Sequence, residues 1–146
     1  MTGPGVAPHV GPGSDGDVTR GLQPVPGPLD PASALVEAHV SVPDTESAQR
    51  VADDLVARQL AACVQILGPM TSVYSWKGGV HRAQEWLLLV KTTAEAFPRV
   101  AEAVRRQHRY DVPEIVAVPM THALAEYGRW VRTHSDGLSD AELSEH

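Results

Sequence analysis

The feature that most constrains this chain is a long β-hairpin pattern between residues 60 and 93. A β-rich run begins at the only cysteine, Cys63, and ends in a tight turn at Lys77-Gly78-Gly79. An apolar run, Trp86–Val90, lies on the return path. Two such runs joined by a glycine turn are typical of a hairpin. We therefore predict that this hairpin supplies the second and third strands of the fold.

Apolar periodicity predicts the remaining elements. Leu35–Val42 alternates apolar and polar residues, as a half-buried strand does, and Ile115–Val118 is a short apolar strand between two prolines. Helical spacing predicts helices over 44–59, 94–107 and 124–133. The order is β-α-β-β-α-β followed by a terminal helix. The sequence therefore predicts an α+β, ferredoxin-like sandwich with an extended hairpin and a C-terminal helix.

The apolar strands also predict an oligomer. Two helices can cover only one face of a four-stranded sheet. The continuous apolar runs Trp86–Val90 and Ile115–Val118, however, suit strands that are buried on both faces. About 100 ordered residues leave little chain to cover the second face. We therefore expect a homo-oligomer in which the hairpin reaches over a neighbouring subunit.

The two ends of the chain differ from its middle. Residues 1–33 contain seven prolines and seven glycines without apolar periodicity, which predicts a disordered arm. The predicted domain then covers 34–134, and 135–146 forms an acidic disordered tail. The formal net charge of −6 comes from the two ends, because residues 34–135 carry 11 acidic and 11 basic side chains.

Charge and composition exclude several classes of protein. A neutral domain with acidic ends lacks the basic footprint of a nucleic-acid binder. The sequence has neither a signal-peptide pattern nor an apolar stretch long enough to span a membrane, so we expect a soluble, cytoplasmic protein. One cysteine cannot form an intrachain disulfide. The common enzyme motifs are missing, which predicts a non-enzymatic protein.

Five fragments, in this order and spacing, resemble the CutA family of divalent-cation tolerance proteins. They are Leu60-Ala61-Ala62-Cys63, Ser72-Val73-Tyr74-Ser75-Trp76-Lys77-Gly78, Glu85 with Lys91-Thr92-Thr93, His108-Arg109-Tyr110-Asp111-Val112-Pro113-Glu114, and Tyr127 with Trp130. The resemblance implies a homotrimer of ferredoxin-like subunits, similar in shape to the PII signalling proteins. It also implies an association with copper and other divalent metals.

The resemblance further implies a set of metal ligands. Two of the three suggested positions carry over, to Cys63 and His108, whereas the first-strand position falls on Val40, which cannot bind a metal. Cysteine and histidine can together bind Cu(I), Cu(II) or Zn(II). Two ligands leave coordination positions open, so we expect weak binding or a contribution from a neighbouring chain.

Each of these residues also has a simpler interpretation. Cys63 can be a small buried apolar residue, a metal ligand or a nucleophile. His108 can be a ligand, or a histidine that the helix macrodipole favours at the end of the second helix. The sequence alone leaves these alternatives open.

Polar and aromatic residues of the hairpin and the following loop form two further predicted groups. The first is an inter-subunit pocket that would hold a small anion or metabolite, made of Glu85, Lys91, Tyr110 and Glu114. The simpler interpretation of Glu85 and Lys91 is an ion pair or hydrogen-bonded contact at the subunit boundary. The second is a set of rings that pack the trimer, made of Tyr74, Trp76 and Trp86.

Three functions fit these observations. The first is a homotrimeric, non-enzymatic protein of the response to metal ions that binds copper or another divalent metal weakly and has itself as its partner. The alternative is a PII-like trimeric signalling module that binds a small effector between subunits and acts on a protein partner. The third is a structural trimer with no ligand of its own.

Overall fold

The computed structural model describes residues 22–24 and 34–137. Six strands and three helices lie in these ranges. They are β1 (Leu22–Pro24), β2 (Leu35–Val42), α1 (Thr45–Ala57), β3 (Cys63–Trp76), β4 (Gly79–Thr93), α2 (Phe97–Gln107), β5 (Ile115–Pro119), β6 (His122–Leu124) and α3 (Ala125–Thr133).

Four of the strands form an antiparallel sheet in the order β3-β4-β2-β5. The apolar sides of α1 and α2 pack on one face of this sheet, and the core between the layers includes Val40, Leu55, Leu88 and Val104, each fully buried. The predicted ferredoxin-like α+β sandwich is confirmed. Local chemistry sets the helix boundaries: the Asp44 side chain caps α1 by accepting from the backbone N–H of Ser47 at 2.7 Å.

The hairpin of β3 and β4 extends beyond the part of the sheet in which β4 pairs with β2. The turn residues Lys77 and Gly78 both have positive φ, 49° and 78°, which matches the right-handed twist of the strands. A register shift between Leu67 and Met70 interrupts the pairing. Gly68 lies at this bulge, where an added Cβ would stand 2.5 Å from Cδ1 of Trp86. No other residue type fits there without moving the indole ring.

The other face of the sheet, which we call the second face, is covered at one end only. Register places Leu87 and Leu89 of β4 on this face with Val116 and Val118 of β5. The two leucines are half-buried, and the two valines are 47% and 42% exposed. Helix α3 covers the end nearest Leu35, where Leu35, Ala62 and Val131 form a second small core with Tyr127 and Trp130. Most of an apolar face therefore has no cover within the described chain.

The ends of the domain are more ordered than the sequence predicts. β1 pairs with β6, which itself was not predicted, so the prediction of a disordered arm over 1–33 does not hold for Leu22–Pro24. At the other end, Ser135 is buried and the N–H of Gly137 donates to the carbonyl of Gln59 at 2.8 Å. Packing therefore continues to residue 137 rather than ending at 134. The rest of the predicted arm and tail, 1–21, 25–33 and 138–146, lies outside the described residues.

Candidate functional site

Cys63 lies at the start of β3, partly exposed, on the second face. Its register partner is Lys91, whose ammonium group bonds to the carboxylate of Glu37. Burial raises the pKa of the Cys63 thiol, and the nearby charge of Lys91 opposes this only in part. Cys63 is therefore a protonated thiol at neutral pH. A thiol binds metals and attacks electrophiles less well than a thiolate does.

His108 caps the C-terminus of α2, and both of its ring nitrogens have partners in the fold. Nε2 lies 2.6 Å from the carbonyl oxygen of Ser41, and the backbone N–H of Tyr110 donates to Nδ1 at 3.1 Å. These partners assign the proton to Nε2, because Nδ1 must accept. His108 thus fastens the loop after α2 to strand β2. To bind a metal, it would have to give up one of these bonds.

The structure does not bring the predicted metal ligands together within one chain. Cys63 pairs with Lys91, whereas Ser41, the partner of His108, pairs with Leu87. Four residues of strand separate these positions by about 13 Å. Val40 is fully buried on the helix-covered face, opposite to Cys63. Within residues 22–24 and 34–137, no group of three His, Cys, Asp or Glu side chains could hold a metal ion. One chain alone does not fit a copper site.

Three of the four predicted pocket residues do meet. Glu85 of β4, Tyr110 of the loop after α2, and Glu114 just before β5 line one pocket of about 700 Å³. Its lining comprises Ser41, Ser72, Val73, Tyr74, Trp76, Glu85, Arg109, Tyr110, Asp111, Val112 and Glu114. These residues of one chain lie between the hairpin and the loop after α2. The contribution of a second subunit to the pocket stays a prediction.

Hydrogen bonds hold two of the three carboxylates of this pocket, those of Glu85 and Glu114, in place. Tyr110 Oη donates to Glu85 Oε2 at 3.2 Å, and the Ser41 hydroxyl donates to Glu114 Oε2. Glu85 is only 7% exposed. Burial and then the charge of Glu85 raise the pKa of Tyr110 to about 12, so this phenol remains a hydrogen-bond donor at neutral pH. The walls of the pocket are therefore fixed before any ligand enters.

Lys91 is the predicted pocket residue that lies elsewhere. It is six positions along β4 from Glu85 and takes part in a different polar cluster on the second face. There its ammonium bonds to Glu37, which also contacts His39 Nε2 at 2.8 Å. The hydrogen bond from Lys91 is the largest cause of the lowered pKa of Glu37. Lys91 and Glu37 thus form an ion pair across neighbouring strands.

The three predicted packing rings occupy two environments. Tyr74 and Trp76 lie on the hairpin beyond the sheet, 45% and 47% exposed, and both line the pocket. Trp86 instead packs against the core of its own subunit and over Gly68. The sequence did not single out Ser41, Ser72, Arg109 or Asp111 as pocket residues. Arg109 and Asp111 belong to the segment His108–Glu114, which carries the family resemblance, and this segment was the signal in the sequence that could have identified them as pocket residues.

The fold defines the class of protein: a ferredoxin-like α+β sandwich with a long hairpin and a polar pocket between the distal part of the hairpin and the loop after α2. The family model for the CutA1 divalent ion tolerance protein matches residues 36–134, which is most of the ordered domain. The chain therefore belongs to the CutA family of divalent-cation tolerance proteins.

Individual relatives agree with this assignment. The chain is 48% identical over 96 residues to the divalent-cation tolerance protein CutA of Thermus thermophilus, covering 66% of this chain and 93% of the relative. It is 35% identical over 104 residues to the human protein CutA, covering 71% of this chain and 58% of the human protein. The solved structure of the Thermus thermophilus protein superposes with a TM-score of 0.68 and 46% identity, covering 69% of this chain and 98% of that one.

None of the helices in the described ranges is both long and apolar enough to cross a membrane.

Proposed function

We propose that this chain is a non-enzymatic, cytoplasmic protein of the response to divalent metal ions, and that it acts as a homotrimer. Membership of the divalent-cation tolerance family supports the role in metal tolerance. The observation that carries the assembly is the uncovered second face, where strand β2 separates Leu87 and Leu89 from Val116 and Val118. The number of three subunits is what the family resemblance implies. The proposed partners are further copies of the chain; nucleic acid and membranes are not proposed as partners.

The second face has the composition of a subunit interface. Aliphatic side chains of β4 and β5 lie on either side of the polar side chains of β2, among them Glu37, which pairs with Lys91. Exposed aliphatic patches combined with polar residues in this way are typical of protein–protein interfaces. The hairpin adds exposed apolar residues beyond the sheet, with Val73 at 54% and Val80 at 77% exposure. Burial of both regions by neighbouring subunits would stabilise the trimer.

We also propose that metal binding is weak and depends on Cys63. This thiol is the only cysteine sulfur in the sequence, and it lies on the second face, where a neighbouring subunit would supply further donors. The raised pKa of Cys63 adds a cost to binding, because the metal must displace the thiol proton. His108 stays in its structural role, since both ring nitrogens already have partners.

Native mass spectrometry with Cu(I) and Cu(II) tests both parts of this proposal. We expect a mass of about three times the 15.6 kDa of the chain, with copper adducts that disappear in Cys63→Ser. His108→Ala should keep the copper adducts but lower the melting temperature. His122 is an exposed histidine outside the contacts of Cys63 and His108, so His122→Ala should change neither the adducts nor the melting temperature. A trimer that stays free of copper at millimolar metal would contradict the metal proposal and leave the assembly standing.

The pocket favours a second candidate function, a PII-like trimeric module that binds a small effector. Its volume of about 700 Å³ suits a small molecule, and Glu85 is buried at its wall with a fixed partner, Tyr110. A thermal-shift screen against small charged metabolites tests this role. We expect stabilisation that is lost in Glu85→Gln and kept in Glu95→Gln, an exposed carboxylate outside the pocket. Stabilisation that both variants keep would contradict it.

A further inference from the structure

The net charge of the pocket lining indicates the sign of the charge on its ligand. Three acidic side chains, Glu85, Asp111 and Glu114, line it against one basic side chain, Arg109. The guanidinium of Arg109 lies 3.5 Å from a carboxylate oxygen of Asp44, so part of its charge is already balanced. The lining therefore keeps an excess of negative charge that favours a cation.

Aromatic rings also line the pocket. Tyr74, Trp76 and Tyr110 are 45%, 47% and 39% exposed, and Tyr110 lies beside Glu85, to which its hydroxyl group donates. Aromatic faces attract ammonium groups through the ring quadrupole, and tryptophan does so most strongly. Nζ of Lys77 lies 5.9 Å from the centre of the Trp76 ring, so one cation already lies near this ring. Carboxylates and aromatic rings that line one pocket together suit an organic ammonium group.

A bare metal ion fits the same pocket less well. A divalent ion needs several oxygen ligands converging within about 2.6 Å, and the described part of the chain contains no cluster of three such side chains. Moreover, hydroxyl groups of Tyr110 and Ser41 already hold the carboxylates of Glu85 and Glu114. The volume, about 700 Å³, is that of a site for a small organic molecule.

We propose that the pocket binds a small organic cation, an alkylamine or quaternary ammonium compound, with its charged nitrogen between Glu85 and Glu114 and its carbon atoms against Trp76. This proposal rests on the second candidate function and names the chemical class of its effector. Glu85 supplies the charge in a poorly hydrated position, and Trp76 supplies the ring face.

The proposal is tested by isothermal titration calorimetry of the full-length protein with spermidine and with tetramethylammonium. The buffer contains about 150 mM NaCl, which screens non-specific charge attraction. We expect both to bind, and Glu85→Gln and Trp76→Ala each to weaken binding about tenfold or more, the size expected for losing a charge-assisted contact. Glu95→Gln should bind as the wild type does. Thermal melts before each titration show that the variants are folded, and tetramethylammonium separates recognition of the charge from hydrogen bonding by N–H groups.

Three outcomes would overturn the proposal. Cation binding that is equal in wild type, Glu85→Gln and Trp76→Ala would place it elsewhere on this acidic protein. Binding of the dicarboxylate 2-oxoglutarate in a Glu85-dependent way, without binding of either cation, would overturn the cationic class and leave the effector pocket standing. A folded wild-type protein that binds none of the three probes would contradict both the cationic class and an effector of that size and charge.

Discussion

Leu88→Ala is expected to lower the free energy of unfolding by about 2–5 kcal/mol, the range for deleting a buried leucine side chain. Leu88 is fully buried on β4, a strand with neighbours on both sides, and it faces the core beneath the helices. Its register partners are Val40 and Ile66. Because the adjacent strands and α1 are held by many other contacts, they cannot collapse into the space that alanine leaves.

The measurement is guanidinium-induced unfolding at one fixed protein concentration, since the stability of an oligomer depends on concentration. Val56→Ala is the control, because it also removes side-chain carbon atoms but at a position on α1 that is 38% exposed and lies outside the second face. We expect a clearly smaller loss of stability for Val56→Ala. Equal losses for the two variants would contradict the core position of Leu88.

Val116→Lys is expected to convert the proposed trimer into subunits of 15.6 kDa at micromolar concentration. Val116 lies on the second face in β5 and is 47% exposed, so a lysine there does not disturb the core of the subunit. In a trimer that buries this face, the new ammonium group would lose its water without gaining a partner. Burying an unpaired charge costs several kcal/mol at each interface.

Light scattering coupled to gel filtration gives the mass directly. Val56→Lys is the control: Val56 is 38% exposed on α1, in the opposite layer of the sandwich, and its substitution should leave the proposed trimer intact. Circular dichroism must show that Val116→Lys keeps its secondary structure. A stable trimer in Val116→Lys would show that subunits associate through another surface, such as the distal part of the hairpin.

The sheet and helices were predictable because each depends on local chemistry. Alternation in Leu35–Val42, the cap at Asp44 and the glycine turn after Lys77 each favour one backbone conformation, whatever surrounds them. The short pairing of β1 with β6 was not predictable in this way. Three residues of an arm rich in proline and glycine carry no strand pattern, and their hydrogen bonds depend on where β6 lies.

The candidate site was predictable only in part. Glu85 and Lys91 were grouped because they flank the apolar part of one strand, and Tyr110 and Glu114 were placed near the same cleft. The structure brings Glu85, Tyr110 and Glu114 together, but not Lys91. Six residues along a strand separate Glu85 from Lys91 by about 20 Å. The roles of His108 were likewise open, because its ring partners, Ser41 and Tyr110, include one that is 67 residues away.

By itself, the sequence determined the order and type of the main elements, the hairpin, the apolar second face and the family. These follow from residue pattern, because side-chain period and turn chemistry act between near neighbours. Only the tertiary structure decided that His108 fastens the loop to β2, that Cys63 lies apart from it, and that Glu85, Tyr110 and Glu114 share one pocket. Such contacts join residues far apart in sequence, and their geometry is fixed only when helices, loop and sheet pack together.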